Sequence, residues 1–149
     1  MKSTAIILII AIAALVASEK IVHNFKTTEN GTIETQKWHK GDQIELNFSE
    51  NPTTGYQWMI PEEIEGYNLI WSLNSSTYVS DKHPEGMVGV GGTRTFVLDI
   101  KDTGNEIVTF VYGRPWLYNN TMAAYNATGN FDASIMEGNA VQLEIQSTA

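Results

Sequence analysis

Apolar residues return at every second position in five separate stretches of this chain, and that period decides what it can fold into. Ile44, Leu46 and Phe48 alternate with Gln43, Glu45 and Asn47, and Tyr56, Trp58 and Ile60 alternate with Gln57 and Met59. The pattern repeats at Phe96, Leu98 and Ile100, at Val108, Phe110 and Tyr112, and at Val141, Leu143 and Ile145. A period of two puts one set of side chains on one face of a strand, so each stretch predicts a strand with a buried face. Ile70 to Val79 and Ile21 to Trp38 predict further, less regular strands. Within the latter, Asn30-Gly31 is a two-residue hairpin signal. Turn signals cluster at Lys40 to Asp42, Asn51 to Gly55, Pro84 to Gly92 and Asp102 to Asn105. Short strands separated by such turns predict an all-β antiparallel sandwich or barrel.

Two segments depart from that rhythm. Pro61 to Gly66 reads as a single helical turn. Leu117 to Asn139 is long and polar, and it predicts a flexible insertion, with a part in binding as the alternative.

The start of the chain reads as something other than the folded domain. Lys2 precedes an apolar run from Ala5 to Val16, followed by the small residues Ala17 and Ser18. This is the pattern of a secretory signal peptide over residues 1–18, leaving a single domain over 19–149. The run is shorter than the roughly 20 residues of a membrane span, so an uncleaved anchor is the lesser reading. The domain then enters a lumen or the outside, and no membrane association is expected once the leader is removed. Asn30, Asn47, Asn74, Asn119 and Asn126 each begin an N-x-[ST] sequon and are candidate glycan acceptors, whereas Asn51 precedes proline and is excluded. The chain has no cysteine, so no disulfide, thiolate metal site or cysteine nucleophile can form. Its formal net charge of −8 and lack of a Lys/Arg cluster argue against nucleic-acid binding.

Three turns have unusual chemistry: Asn51-Pro52-Thr53-Thr54-Gly55-Tyr56, Gly89-Val90-Gly91-Gly92 and Arg114-Pro115-Trp116. If successive strands run antiparallel, turns alternate between the two ends of the fold, and these three fall at the same end. In the first, Pro52 fixes φ, Thr53 and Thr54 are stiff at χ1, and Gly55 can reverse the chain. The second lacks bulk and lets another backbone approach. The third joins Arg and Trp, types enriched at interface hot spots. Each alone could be an ordinary turn. Together, without catalytic groups among them, they describe a preorganised binding edge.

At these residues the chain resembles the chagasin family of cysteine-protease inhibitors. All three loop motifs of that family are intact and in order, and the similarity runs from about Ile21 to Ile145. The resemblance implies an immunoglobulin-like antiparallel β-sandwich of about seven to eight strands. It implies a reversible, non-covalent inhibitor of papain-like, cathepsin-L-like proteases, acting as a monomer without cofactor or metal. The first loop would lie against the catalytic cysteine and histidine, with the other two flanking the cleft and Trp116 packing on enzyme aromatics. Tyr56 would root the first tip in the sandwich. The segment after Trp116 is longer than the family usually has, and glycans at Asn47, Asn119 or Asn126 would crowd a partner. The resemblance and the leader together imply a secreted protein, or one of the endolysosomal or phagosomal lumen.

Two other classes compete. For an enzyme, His23, His39 and His83 are scattered over separate segments, and no zinc-protease, nucleophile-elbow or phosphate-loop motif occurs. Glu62, Glu63 and Glu65 read as a solvated turn. A secreted immunoglobulin-like adhesion or carbohydrate-binding module would need exposed aromatics on a sheet face, for which Trp38 and Tyr125 are the candidates.

Overall fold

The computed structural model describes residues 20–25, 31–33, 37–61, 69–128 and 132–149. The expected leader, Asn30 and the turn beyond Pro61 lie outside them. Nine strands among the described residues form two sheets. The first runs in the order β1 (Lys20–Phe25), β4 (Gln43–Glu50), β7 (Gly92–Ile100), β6 (Trp71–Ser80). The second runs β2 (Gly31–Ile33), β9 (Asn139–Thr148), β8 (Gly104–Gly113), β5 (Gln57–Met59), and β3 (Lys37–His39) also pairs with β9. The expected immunoglobulin-like sandwich is present, with the very short β2 and β3 raising the strand number.

The alternating residues become the core because the antiparallel registers align them. Ile44 faces Leu98 and Leu46 faces Phe96 in the first sheet, while Val108 faces Leu143 and Phe110 faces Val141 in the second. All eight are buried. Phe48 joins the sheets, its ring 4.4 Å from Trp58, 5.0 Å from Phe110 and 5.8 Å from Phe96. Each large side chain buried in this way stabilises the fold by about 1.5–3 kcal/mol.

The sheets are antiparallel-rich as expected, with parallel pairs where β1 joins β4 and where β2 and β3 join β9. The hairpin expected around Asn30-Gly31 lies largely outside the described residues, and β1 and β2 on either side belong to different sheets. The described part of the polar insertion is structured, where the sequence predicts a flexible segment. A 3-10 turn at Pro115–Leu117 leads into α1 (Tyr118–Thr128), and a second turn follows at Ala133–Met136. Thr121, Met122 and Met136 are buried, Thr121 Oγ1 donates to the Leu117 carbonyl at 3.3 Å, and Tyr118 Oη donates to the Pro61 carbonyl at 3.4 Å. Thr109 and Val111 point away from the main core yet are buried as well, on a strand that touches the Ala133–Met136 turn. The Ala133–Met136 turn packs on β8 and β9, and α1 packs on that turn.

Candidate functional site

The strand registers bring the three unusual turns to one end. Glu50 and Ser80 both pair with Gly92, and Gln57 pairs with Gly113, so the first, second and third loops leave the sandwich side by side. The Lys40 to Asp42 and Asp102 to Asn105 turns lie at the other end, as the parity of strands predicts.

The first loop is a closed turn. Pro52–Thr54 is one 3-10 turn, ended by Gly55 at φ +84°. Thr54 donates to the Asn51 carbonyl twice, from its amide at 3.1 Å and its hydroxyl at 2.7 Å, and the Gly55 amide donates to the Pro52 carbonyl at 2.9 Å. Thr53 Oγ1 donates to Asn51 Oδ1 at 2.6 Å. Proline's fixed φ suits the start of such a turn, and glycine tolerates the left-handed exit. Thr53 and Thr54 remain exposed at the tip. Tyr56 is half-buried and stacks on Tyr112 at 5.5 Å.

The second loop is tied to the first. Asn51 Nδ2 donates to the Gly89 carbonyl at 2.9 Å, and the Asp81 amide donates to the Gly91 carbonyl at 2.9 Å, closing the loop on itself. A Cβ on Gly92 would run into the Val79 carbonyl, and one on Gly91 would sit 3.2 Å from the Glu50 carbonyl. These glycines therefore permit close backbone packing. Val90 is half-buried. Met87 and Val88 were missed from the sequence, yet Val88 is 91% exposed and Met87 54%. Two apolar residues inside a glycine-rich turn were the signal available.

The third loop leans on the first. A Cβ on Gly55 would come within 2.8 Å of the Trp116 ring, although Trp116 is 62% exposed. The Arg114 guanidinium lies 5.1 Å from the Tyr56 ring centre and 5.5 Å from that of Trp116, bridging the two loops through cation–π contacts. Pro115 starts the 3-10 turn. From the insertion, the Met136 carbonyl accepts from the Arg114 amide at 3.1 Å, and Glu137 pairs with the Arg114 side chain at 3.1 Å. Glu137 had no sequence signal, since its contact depends on how a polar segment folds back.

Beneath the first loop, Glu50 was also missed. It occupies the buried phase of β4 after Phe48 and pairs with Arg94 at 2.8 Å. A carboxylate in an otherwise apolar phase was its signal.

Among the described residues, the other candidates do not come together in a site. His39 and His83 lie at opposite ends of the sandwich. Trp38 is fully buried, which removes it as an aromatic platform for an adhesion module, and the Tyr125 side chain lies outside the described set. Among the sequons, Asn47 is half-buried mid-strand and accepts from Thr95 Oγ1 at 2.7 Å, while Asn74 and Asn119 are exposed. The Asn126 side chain is not among those described.

A sandwich that presents three mutually braced loops, with exposed Thr, Val and Trp side chains and no nucleophile–base pair among them, is a binding scaffold. The chain belongs to the chagasin family of peptidase inhibitors: the family model described as "Chagasin family peptidase inhibitor I42" matches residues 37–131. Amoebiasin-1 of Entamoeba histolytica is 35% identical over 92 residues, covering 62% of this chain and 84% of the relative. Chagasin of Trypanosoma cruzi is 33% identical over 79 residues, covering 51% of this chain and 68% of the relative. The crystal structure of the cysteine protease inhibitor EhICP2 from Entamoeba histolytica shares the fold, with a TM-score of 0.56 at 23% identity over 87% of this chain and 97% of that one. The family consists of inhibitors, so this chain is not an enzyme.

Proposed function

We propose that this protein is a reversible, non-covalent inhibitor of papain-like cysteine proteases, cathepsin-L-like enzymes among them. The three loops enter the substrate cleft as a wedge. The first loop, with Thr53, Thr54 and Gly55, faces the catalytic pair, and the second and third flank it. Trp116 packs on aromatic surface of the enzyme.

One observation carries this reading. The Asn51 and Pro52 carbonyls are engaged inside the loop's own turn. Cleavage needs an extended peptide whose carbonyl sits about 3–3.5 Å from the nucleophile in an aligned geometry. A closed turn fills the cleft and withholds that alignment, so no covalent step follows. Preorganised loops also lower the ordering cost of association. An interface of about 800 Å² per partner is ordinary for such complexes.

Titration of the folded domain against papain and a cathepsin-L-like protease tests the proposal. Stoichiometric, reversible loss of activity is expected, and full activity at micromolar inhibitor would sink it.

The leader pattern supports entry into the secretory route, with secretion or delivery to an endolysosomal or phagosomal lumen. On that route the exposed Asn74 and Asn119 are the preferred glycan acceptors. Expression in a secreting eukaryotic cell, followed by glycosidase treatment, is expected to shift the band. A product retained in the cytosol would contradict this part.

A further inference from the structure

The Glu50 side chain is wholly buried, while Arg94 keeps about a fifth of its surface. One carboxylate oxygen, Oε1, accepts from Arg94 Nη2 at 2.8 Å. The other, Oε2, accepts from the Trp58 backbone amide at 2.8 Å and from Arg94 Nε at 3.3 Å. The guanidinium also lies 5.5 Å from the Tyr78 ring centre. These contacts join β4 and β7 of the first sheet to β5 of the second.

Their position along the chain gives them meaning. Glu50 is the last residue of β4 and Trp58 lies within β5, so one carboxylate holds both ends of the first loop. Trp58 Nε1 adds a bond to the Ser49 carbonyl at 2.9 Å. The two strands belong to different sheets, so no strand ladder fixes the separation of the loop's ends. Stability alone does not call for such a group. Burying a carboxylate and a guanidinium costs desolvation, and apolar residues of similar volume often serve stability as well or better. What apolar residues cannot do is accept the Trp58 amide and fix a direction. Arg supplies two donors in a rigid fork, which orients the carboxylate.

We propose that Glu50, oriented by Arg94, is the positioning residue of the first loop. It sets the separation of the loop's ends and so the way the Thr53–Thr54 tip is presented. This inference rests on the inhibitory reading of this end of the sandwich.

The test compares Glu50→Leu/Arg94→Leu with the unaltered domain. The double variant removes both charges together and leaves neither unpaired. Three quantities are read: the melting midpoint, the inhibition constant against papain, and amide hydrogen exchange at Thr54 and Gly55. A folded variant with an inhibition constant raised about tenfold or more, and faster exchange at both amides, is expected. A folded variant with unaltered inhibition and exchange overturns the proposal and leaves the pair as a packing element. Arg94→Lys decides the matter if the double variant does not fold. It keeps the charge and the Glu50–Trp58 bond but loses the fork, so the same changes are expected at smaller size. Unaltered values there also overturn it. If the unaltered domain leaves papain active, the inhibitory reading falls, and loop exchange in the variants still decides whether Glu50 positions the tip.

Discussion

Gly41 and Gly55 both take left-handed backbone, at φ +100° and +84°, yet they stand in opposite surroundings. A Cβ added to Gly41 meets nothing within 4 Å, whereas one added to Gly55 meets the Trp116 ring. The Gly41 turn is held by local bonds and by bonds to distant strand ends, from the Gly41 amide to the Ile100 carbonyl at 2.8 Å and from the Lys40 amide to the Thr148 carbonyl at 3.0 Å. The His39 amide donates to Asp42 Oδ2 at 2.8 Å, and the Asp42 amide returns to the His39 carbonyl at 3.0 Å. At the loop end, bonds and ring contacts run from loop to loop, as from Asn51 to Gly89 and from Arg114 to Tyr56 and Trp116. One end ties its turns to strand ends and joins two of them through the exposed Lys40–Asp102 pair at 3.4 Å. The other is a single coupled surface, where a change in one loop displaces the next.

The largest effect should come from that surface's most exposed anchor. Trp116→Ala is expected to weaken inhibition about thirtyfold or more, the size typical of an interface hot spot. The melting midpoint should stay in place, because much of the side chain is solvent-exposed. A variant that unfolds would instead make Trp116 a core residue. Next comes the glycine pair itself. Gly55→Ala adds left-handed strain of about 1–2 kcal/mol and a clash with Trp116, and should weaken inhibition about tenfold. Gly41→Ala carries similar strain and should lower the melting midpoint alone. Equal loss of inhibition in both variants would break the distinction between the ends.

A smaller change tests the tie between the first two loops. Asn51→Ala removes the bond to Gly89 and the partner of Thr53 Oγ1. About fivefold weaker inhibition is expected, in line with roughly 1 kcal/mol for a net hydrogen bond. Inhibition kinetics that match the unaltered protein would show that the two loops act separately.

The smallest effect belongs to the far end. The Thr103 backbone amide, then Lys40, holds the Asp102 carboxyl below its ordinary value of 3.8. A carboxyl lowered on folding stabilises the fold fully above that ordinary value, and the stabilisation is lost as pH falls through the lowered one. Asp102 is fully exposed, so the contribution is slight. Asp102→Asn should flatten a small part of the melting-midpoint profile below about pH 4 and leave inhibition at neutral pH untouched. Any loss of inhibition there would mean that the ends communicate.

Much of this was legible in the sequence because it rests on local rules. A period of two marked the core faces at Ile44 to Phe48 and Phe96 to Ile100, and strand parity gathered the three loops. The helix at Tyr118–Thr128 was hidden because its stretch is rich in Asn and Thr and its few apolar residues sit without a clear stripe. It packs against the turns at Pro115–Leu117 and Ala133–Met136, contacts that no local pattern announces. The parallel pairing of β1 and β2 depends on which sheet edges lie open, again a property of the assembled fold. Glu50 did break its strand's pattern, but its partner Arg94 lies on another strand and its third contact is a backbone amide.

The placement of β9 also bears on how the molecule is made. It follows every strand it joins, yet it sits between β2 and β8 and also carries β3. Its contacts reach back across nearly the whole chain, as from Thr148 to Trp38. Such long-range pairing closes slowly, because a large loop must be ordered before the contacts reward it. During synthesis β2 and β3 wait without that neighbour until the last strand has been translated. The second sheet, and with it the β8 strand that supports the third loop, is completed in one late step.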